Sequence, residues 1–386
     1  MERDAFEKDA PGSLVSIGDK PNYVAFDPDP LPPEFDSGEL LSPVADAAAA
    51  VAELKGIGPR VGDNRVLIEP FVRKEALESA RIEGTRATLS DLYAYEAGGE
   101  QLVQDENREG VKEVQNYLRA LNYGREQIED SPELTESLLC SMHERLLTDV
   151  RGEEKRPGQY RDGQVYIGGT PFLEEARYVP PPPEAVPNRM TELLDYLNED
   201  RAMQSLLRAG LAHYQFETIH PFFDGNGRLG RLLISLLLQR DGVLPEPYLY
   251  LSSFFNEYKQ EYTDRMLAVS QRGEWIPWLK FFLEGVRSQA VEARERANEL
   301  VDLREEYTER YQAARSENIL PLVMYLFERP YLTISQAQGA IEGEYVTANR
   351  LVNRLVDDGV LEEVGTSGRQ NYYRATRIFE IIGARS

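Results

Sequence analysis

Two apolar runs of helical length, separated by a break that no helix can cross, constrain this chain more than any other feature. An apolar helix spanning Ser205 to Ile219 delivers His220, and Pro221 then blocks further helix, since proline lacks the N–H and clashes with the preceding turn. Gly225, Asn226 and Gly227 tolerate positive φ, and the next helix begins at about Arg228 and runs to Arg240. Helical spacing and breakers predict further helices at Asp46–Leu54, Pro70–Ile82, Thr88–Tyr95, Arg108–Gly124, Thr135–Leu147, Ala185–Asn198, Phe254–Arg272 and Ile276 to about Tyr311. Gly56, Gly58 and Pro59 end the first of these. Residues 1 to about 40 are rich in Pro, Asp and Gly and are expected to be mostly extended. Between Gln164 and Pro183 the alternation of Val165 and Ile167 with Tyr166, closed by a proline run, predicts a β-hairpin. The last 70 or so residues read as helix, helix, helix and a two-stranded wing, the pattern of a winged helix-turn-helix.

With 386 residues the chain is long enough for two or three domains. A single cysteine, Cys140, rules out a disulfide framework and a multi-cysteine zinc site, and its apolar neighbours Leu138, Leu139 and Met142 predict a buried structural thiol. No segment approaches the roughly 20 apolar residues of a membrane span. The first residues show no basic region followed by an apolar one, so a cytoplasmic protein is expected. A net charge of −23 repels nucleic acid and anionic membranes at long range, and any site for a phosphate ligand must create a local positive field against it.

Such a field is available in the break itself. Successive N–H groups of Gly225, Asn226 and Gly227 can converge on an anion, and the dipole of the following helix faces the same point. Arg228 and Arg231, three apart, can lean toward that anion with guanidinium forks. Asp224 is a hard oxygen ligand of the kind Mg²⁺ shares with phosphates, and His220 can take a proton near neutral pH. Base, metal ligand, anion nest and arginines together describe attack by an alcohol on a nucleoside phosphate.

The run His220-Pro-Phe-Phe-Asp224-Gly-Asn-Gly-Arg228-Leu-Gly-Arg231 resembles the Fic-family motif His-Pro-Phe-x-(Asp/Glu)-Gly-Asn-Gly-Arg-x-x-Arg without departure. The resemblance implies a mainly α fold: a Fic-type helical core with a β-hairpin flap, plus the C-terminal winged helix. Its expected divisions are an N-terminal region over 1–105 with an inhibitory helix, a catalytic core over 106–300 and the winged helix over 315–386. It implies transfer of AMP from ATP, with Mg²⁺, to a Tyr, Thr or Ser hydroxyl of a target protein, auto-AMPylation included. His220 is then the base and Asp224 the metal ligand. Gly225, Asn226, Gly227, Arg228, Gly230 and Arg231 serve the phosphates, and Tyr262 packs on the adenine. Val165, Ile167 and Gly168 line the target strand, and a homodimer is expected.

Ser79-Ala-Arg-Ile-Glu83-Gly84 is similar to the family's inhibitory pattern (Ser/Thr)-x-x-x-Glu-(Gly/Asn). Ser79 and Glu83 are four apart on a predicted helix, so they share a face. By resemblance Glu83 competes for Arg231 and restrains the enzyme, and some relatives use this glutamate to position water and remove AMP. His143 and His213 lie on apolar helices and are expected to be core or cap residues. From Arg315 onward eight Arg face nine Asp plus Glu, a net of −1, so protein docking or dimerisation is favoured over DNA for the winged helix. Arg350, Arg354, Arg369 and Arg374 keep a local basic stripe open. The alternatives are a nucleotide-sensing transcription regulator, or transfer of another group such as UMP or phosphocholine.

Overall fold

The computed structural model describes residues 1, 3–17, 23–57, 65–168, 176–199, 204–244, 249–312, 319–368 and 370–383. The breaker at Gly58 and Pro59, the flap tip at 169–175 and Arg369 lie outside the described residues. The protein is mainly helical, with helices α1 (Leu41–Lys55), α2 (Arg65–Ile82), α3 (Leu89–Glu96), α4 (Asp105–Asp130), α5 (Glu136–Leu146), α6 (Val186–Asn198), α7 (Ser205–Ile219), α8 (Asn226–Arg240), α9 (Ser252–Glu257), α10 (Lys259–Arg272), α11 (Trp275–Gln312), α12 (Ile319–Glu328), α13 (Ile334–Ala340), α14 (Tyr345–Asp357) and α15 (Thr376–Gly383). Strands are β1 (Gly12–Ser16), β2 (Val24–Pro28), β3 (Tyr331–Thr333), β4 (Leu361–Ser367) and β5 (Gln370–Ala375). The chain forms two compact units, one from residues 1–51 and 115–289 and the other from 52–114 and 290–386.

The first unit is organised around α7 and α8. Almost every residue of both helices is buried, including polar ones, which is the signature of helices enclosed on all sides. Helices α5 and α6 pack beside them, and Trp278 of α11, fully buried, donates its indole N–H to Gly210 O at 3.0 Å. Gly210 also lets α11 approach closely, since a Cβ there would press on Phe282 and Leu279 of that helix at 3.0 and 3.1 Å. The N-terminal stretch expected to be merely extended instead forms the antiparallel hairpin β1–β2, pairing Gly12 with Pro28 and Ser16 with Val24. Its inner residues, Val24, Ala25 and Phe26, are buried, and Phe26 N–H donates to Val179 O at 2.9 Å. The expected helix over Phe254–Arg272 is two helices, α9 and α10, broken at Tyr258.

In the second unit α12, α13, α14 and the hairpin β4–β5 occupy the stretches expected for three helices and a wing. Strand β3 joins them, giving an antiparallel sheet of order β3-β5-β4. Thr333 ends β3 and caps α13 in a reciprocal box with Gln336, which fixes the strand-to-helix corner. Thr88 caps α3 in the same way with Asp91. Tyr331 of β3 lies parallel to Tyr93 of α3, ring centroids 6.0 Å apart, and its hydroxyl meets Ser90 at 2.6 Å.

Candidate active site

Helix α7 ends at His220, whose backbone takes the left-handed conformation at φ 50. A side chain other than glycine is strained there, and such strain is held only by surrounding structure. The restraint is visible. Tyr178 Oη donates to Thr218 O at 3.1 Å, and Arg161 donates to Ile219 O at 3.3 Å and, through Nε, to His220 O at 2.8 Å. These are the carbonyls that a helix C-terminus leaves without intrahelical donors, and a cation there also complements the dipole. Arg161 further donates to Gly163 O at 3.2 Å and Pro181 O at 2.6 Å, so one buried guanidinium ties His220 to both arms of the flap. Burial pulls its pKa down to about 10, still leaving it charged at neutral pH.

The turn after His220 is braced from within. Asn226 accepts from Phe222 N–H at 2.9 Å and donates to Phe222 O at 2.8 Å, so its side-chain amide clamps the loop. Because of this clamp α8 begins at Asn226, two residues earlier than expected. Only Gly225 takes positive φ, at 78; Gly227 is already helical. The anion nest expected from three permissive residues is therefore a helix N-terminus preceded by one left-handed glycine. No side chain caps it, and the first intrahelical bond is Leu229 N–H to Gly225 O, so the N–H groups of Asn226, Gly227 and Arg228 precede the ladder.

Arg228 is 1% exposed, and neither its Nε nor its Nη1 has a hydrogen-bond partner. Its Nη2 reaches Asp224 Oδ1 at 3.4 Å, longer than a strong charged bond. Asp224 is partly exposed, and its Oδ1 also accepts from Gly225 N–H at 2.6 Å. Among the described residues no group of three or more His, Cys, Asp or Glu could hold a metal ion. A single carboxylate nevertheless suits Mg²⁺, which keeps waters and takes phosphate oxygens in place of a full protein cage. Arg231, 2% exposed, follows on α8.

Two residues expected at the nucleotide lie elsewhere. Tyr262 is 3% exposed; its ring stacks on Phe255 with centroids 4.4 Å apart, and its hydroxyl meets His213 Nε2 at 2.6 Å. It is a core residue with no exposed face for a base. Gly230 is a packing glycine, because a Cβ there would run into Glu217 and lie 3.2 Å from Phe216. Its carbonyl faces His213 Nδ1 at 3.1 Å, so His213 donates there and accepts from Tyr262. Burial first, then the charge of Arg231, pulls the His213 pKa down to about 3.

The flap residues Val165 and Ile167 are half-buried and Gly168 is exposed at φ 68. The expected hairpin is reduced, among the described residues, to one antiparallel bridge: Ile167 N–H to Tyr178 O at 2.8 Å and Tyr178 N–H to Ile167 O at 3.0 Å. In the second unit Ser79 is fully buried on α2, whereas Glu83 is exposed and lies just past the last helical residue, with Gly84 at φ 99. The two therefore do not share one helical face. Cys140 is half-buried, and burial pushes its thiol up to about 11, which leaves it inert at neutral pH.

Residues 41–126 match the Fic/DOC family N-terminal model and 133–238 the Fic/DOC family model. The chain is 37% identical over 109 residues to protein adenylyltransferase fic-1 of Caenorhabditis briggsae, covering 28% of this chain and 20% of that one. It is 29% identical over 210 residues to protein adenylyltransferase Fic of Drosophila willistoni, covering 53% and 38%. It thus spans well under two thirds of the length of either relative. A Fic family protein from Desulfovibrio desulfuricans G20 shares the fold with a TM-score of 0.58 at 24% identity, over 89% of this chain and 98% of that one. Through its N-terminal and core regions, this chain belongs to the Fic/DOC family.

Proposed function

We propose that the chain is a protein adenylyltransferase that transfers AMP from ATP to a hydroxyl side chain of a target protein. The observation that carries the reading is Arg228: a buried cation with two unpartnered nitrogens at the uncapped start of α8. A group left so costly in the ligand-free fold is matched by a phosphate oxygen. His220 Nδ1 lies 3.4 Å from Glu217 O, an acceptor that favours the proton on Nδ1 and leaves Nε2 to act as the base. The target hydroxyl gives its proton to Nε2 as its oxygen bonds to the α-phosphorus. The bond from that phosphorus to the bridging oxygen breaks, and pyrophosphate leaves with the electron pair. Asp224 would hold Mg²⁺, whose charge offsets that of the phosphates. The N-terminus of α8, Arg228 and Arg231 bind and orient the phosphate chain.

Regulation by Glu83 is part of the same proposal. Its support is the Ser79-x-x-x-Glu83-Gly84 spacing at the end of α2. A carboxylate competing for Arg231 misaligns the α-phosphorus, and a displacement of about 1 Å costs roughly a hundredfold in rate. The test is incubation with ATP labelled at the α-phosphate and Mg²⁺. Label on Glu83→Gly protein, less on wild type and none on His220→Ala is expected. No label on any variant with ATP binding intact would refute AMP transfer, and equal label on wild type and Glu83→Gly would refute the brake.

A further inference from the structure

We infer that His143 is a positioning residue for the phosphate-binding loop, locking the Asp224–Gly225 peptide so that its carbonyl turns inward. His143 comes from the last turn of α5 and is fully buried. Its Nδ1 accepts from Gly158 N–H at 2.9 Å. That bond fixes the tautomer, so Nε2 carries the hydrogen and donates to Asp224 O at 2.8 Å. The imidazole also lies flat on Phe222, with centroids 3.7 Å apart and planes 8° from parallel. Gly225 sits against the same ring, where an added Cβ would lie 3.1 Å from Nε2. One side chain therefore meets the loop at Phe222, Asp224 and Gly225.

The orientation of this peptide matters to an anion. Asp224 O is held on the imidazole by the 2.8 Å bond from Nε2. Rotated outward, the same carbonyl would place a partial negative charge where phosphate oxygens are to bind. It would also leave an acceptor without its buried donor. The ring supplies the packing, but only its Nε2–H supplies the lock. These two contributions are separable by substitution. His143→Phe keeps a flat ring on Phe222 and loses both hydrogen bonds. His143→Gln can place an amide N–H near the Nε2 position. His143→Asn offers an acceptor near Nδ1 and does not reach Asp224.

The inference rests on the proposed function, and the readout that tests it is affinity for Mg·ATP and for pyrophosphate, measured by calorimetry on the full chain. Thermal unfolding of each variant serves as the folding control. Loss of a buried, positioning hydrogen bond predicts about tenfold weaker binding or worse for His143→Phe and His143→Asn, with His143→Gln within about threefold of wild type. If His143→Phe does not fold, the Asn and Gln pair decides. Binding by His143→Phe within about twofold of wild type, or binding by His143→Gln as weak as by His143→Asn, overturns the lock and leaves a packing role. A wild type that binds ATP but transfers no AMP refutes the adenylyltransferase reading, while the affinity order still decides the lock. A wild type that binds neither ligand refutes both.

Discussion

Arg228→Met should make the ligand-free protein more stable while removing its response to nucleotide. The side chain is 1% exposed, and two of its three guanidinium nitrogens have no partner. A buried donor left unsatisfied costs about 1–3 kcal/mol. The compensation is one contact to Asp224 at 3.4 Å, to a carboxylate that is itself partly in water. An interaction of that kind is worth about 1 kcal/mol or less. Methionine fills much of the arginine stem without polar atoms, so the exchange should gain roughly 2 kcal/mol. Denaturant unfolding with and without Mg·ATP measures both halves of the claim. Ligand at a hundred times its dissociation constant should stabilise the wild type by about 2.7 kcal/mol and leave the variant unmoved, so the stability order reverses on adding nucleotide. A loss of more than about 1 kcal/mol in ligand-free Arg228→Met would refute the reasoning, because it would mean that the guanidinium is satisfied by the fold itself.

Two further outcomes are expected. His143 and His213 have pKa values drawn down by burial to about 4 and about 3, so the unfolded chain takes up their protons first as pH falls below about 6.5. Stability is complete above that pH and is lost as pH falls toward the folded values. By pH 5 the loss should be about 2 kcal/mol per histidine, and a flat unfolding midpoint between pH 7 and 5 would contradict it. Arg161→Lys keeps the charge but cannot span the carbonyls of Gly163, Pro181 and His220. AMP transfer should fall at least about tenfold with ATP affinity nearly unchanged, and equal losses in both would show that Arg161 serves the whole site and not the placement of His220.

What the sequence made legible was what lies close together along the chain. The end of α7, the block at Pro221 and the charged residues of the next helix sit within twelve positions, so their chemistry could be read from residue types alone. The start of α8 was misplaced by two residues because the Asn226 clamp on Phe222 is a side-chain contact that no periodicity encodes. From the sequence His143 reads only as a core or cap residue, and Arg161 does not stand out as a site residue. Their partners, Asp224 and His220, lie 81 and 59 positions away. The only local hint was a histidine in the last turn of an apolar helix. Tyr262 misled for the converse reason. A tyrosine on an amphipathic helix looks the same whether it stacks on a base or on Phe255. The hairpin β1–β2 was hidden by its Pro- and Asp-rich surroundings, although Val24-Ala-Phe26 is an apolar run of strand type.

The charge of the whole chain explains why the site is built this way. At −23, with 43 basic against 66 acidic residues, the surface repels a polyphosphate. For the proposed function, the attraction that holds it must come from groups whose field is not diluted by that surface. Arg228 and Arg231 are buried, and the backbone N–H groups opening α8 are fixed dipoles, so their fields act in a medium of low dielectric and are screened little by salt. Burying cations is costly, which limits how many the loop can carry. The two imidazoles packed beside these arginines stay neutral: burial acts first on each, and the charge of Arg228 on His143 and of Arg231 on His213 adds to it. Neutral rings can donate to the carbonyls of Asp224 and Gly230, and so shape the loop and the helix, without adding charge to be desolvated. Positive charge is thereby kept for the nitrogens that meet the phosphates in the proposed reaction.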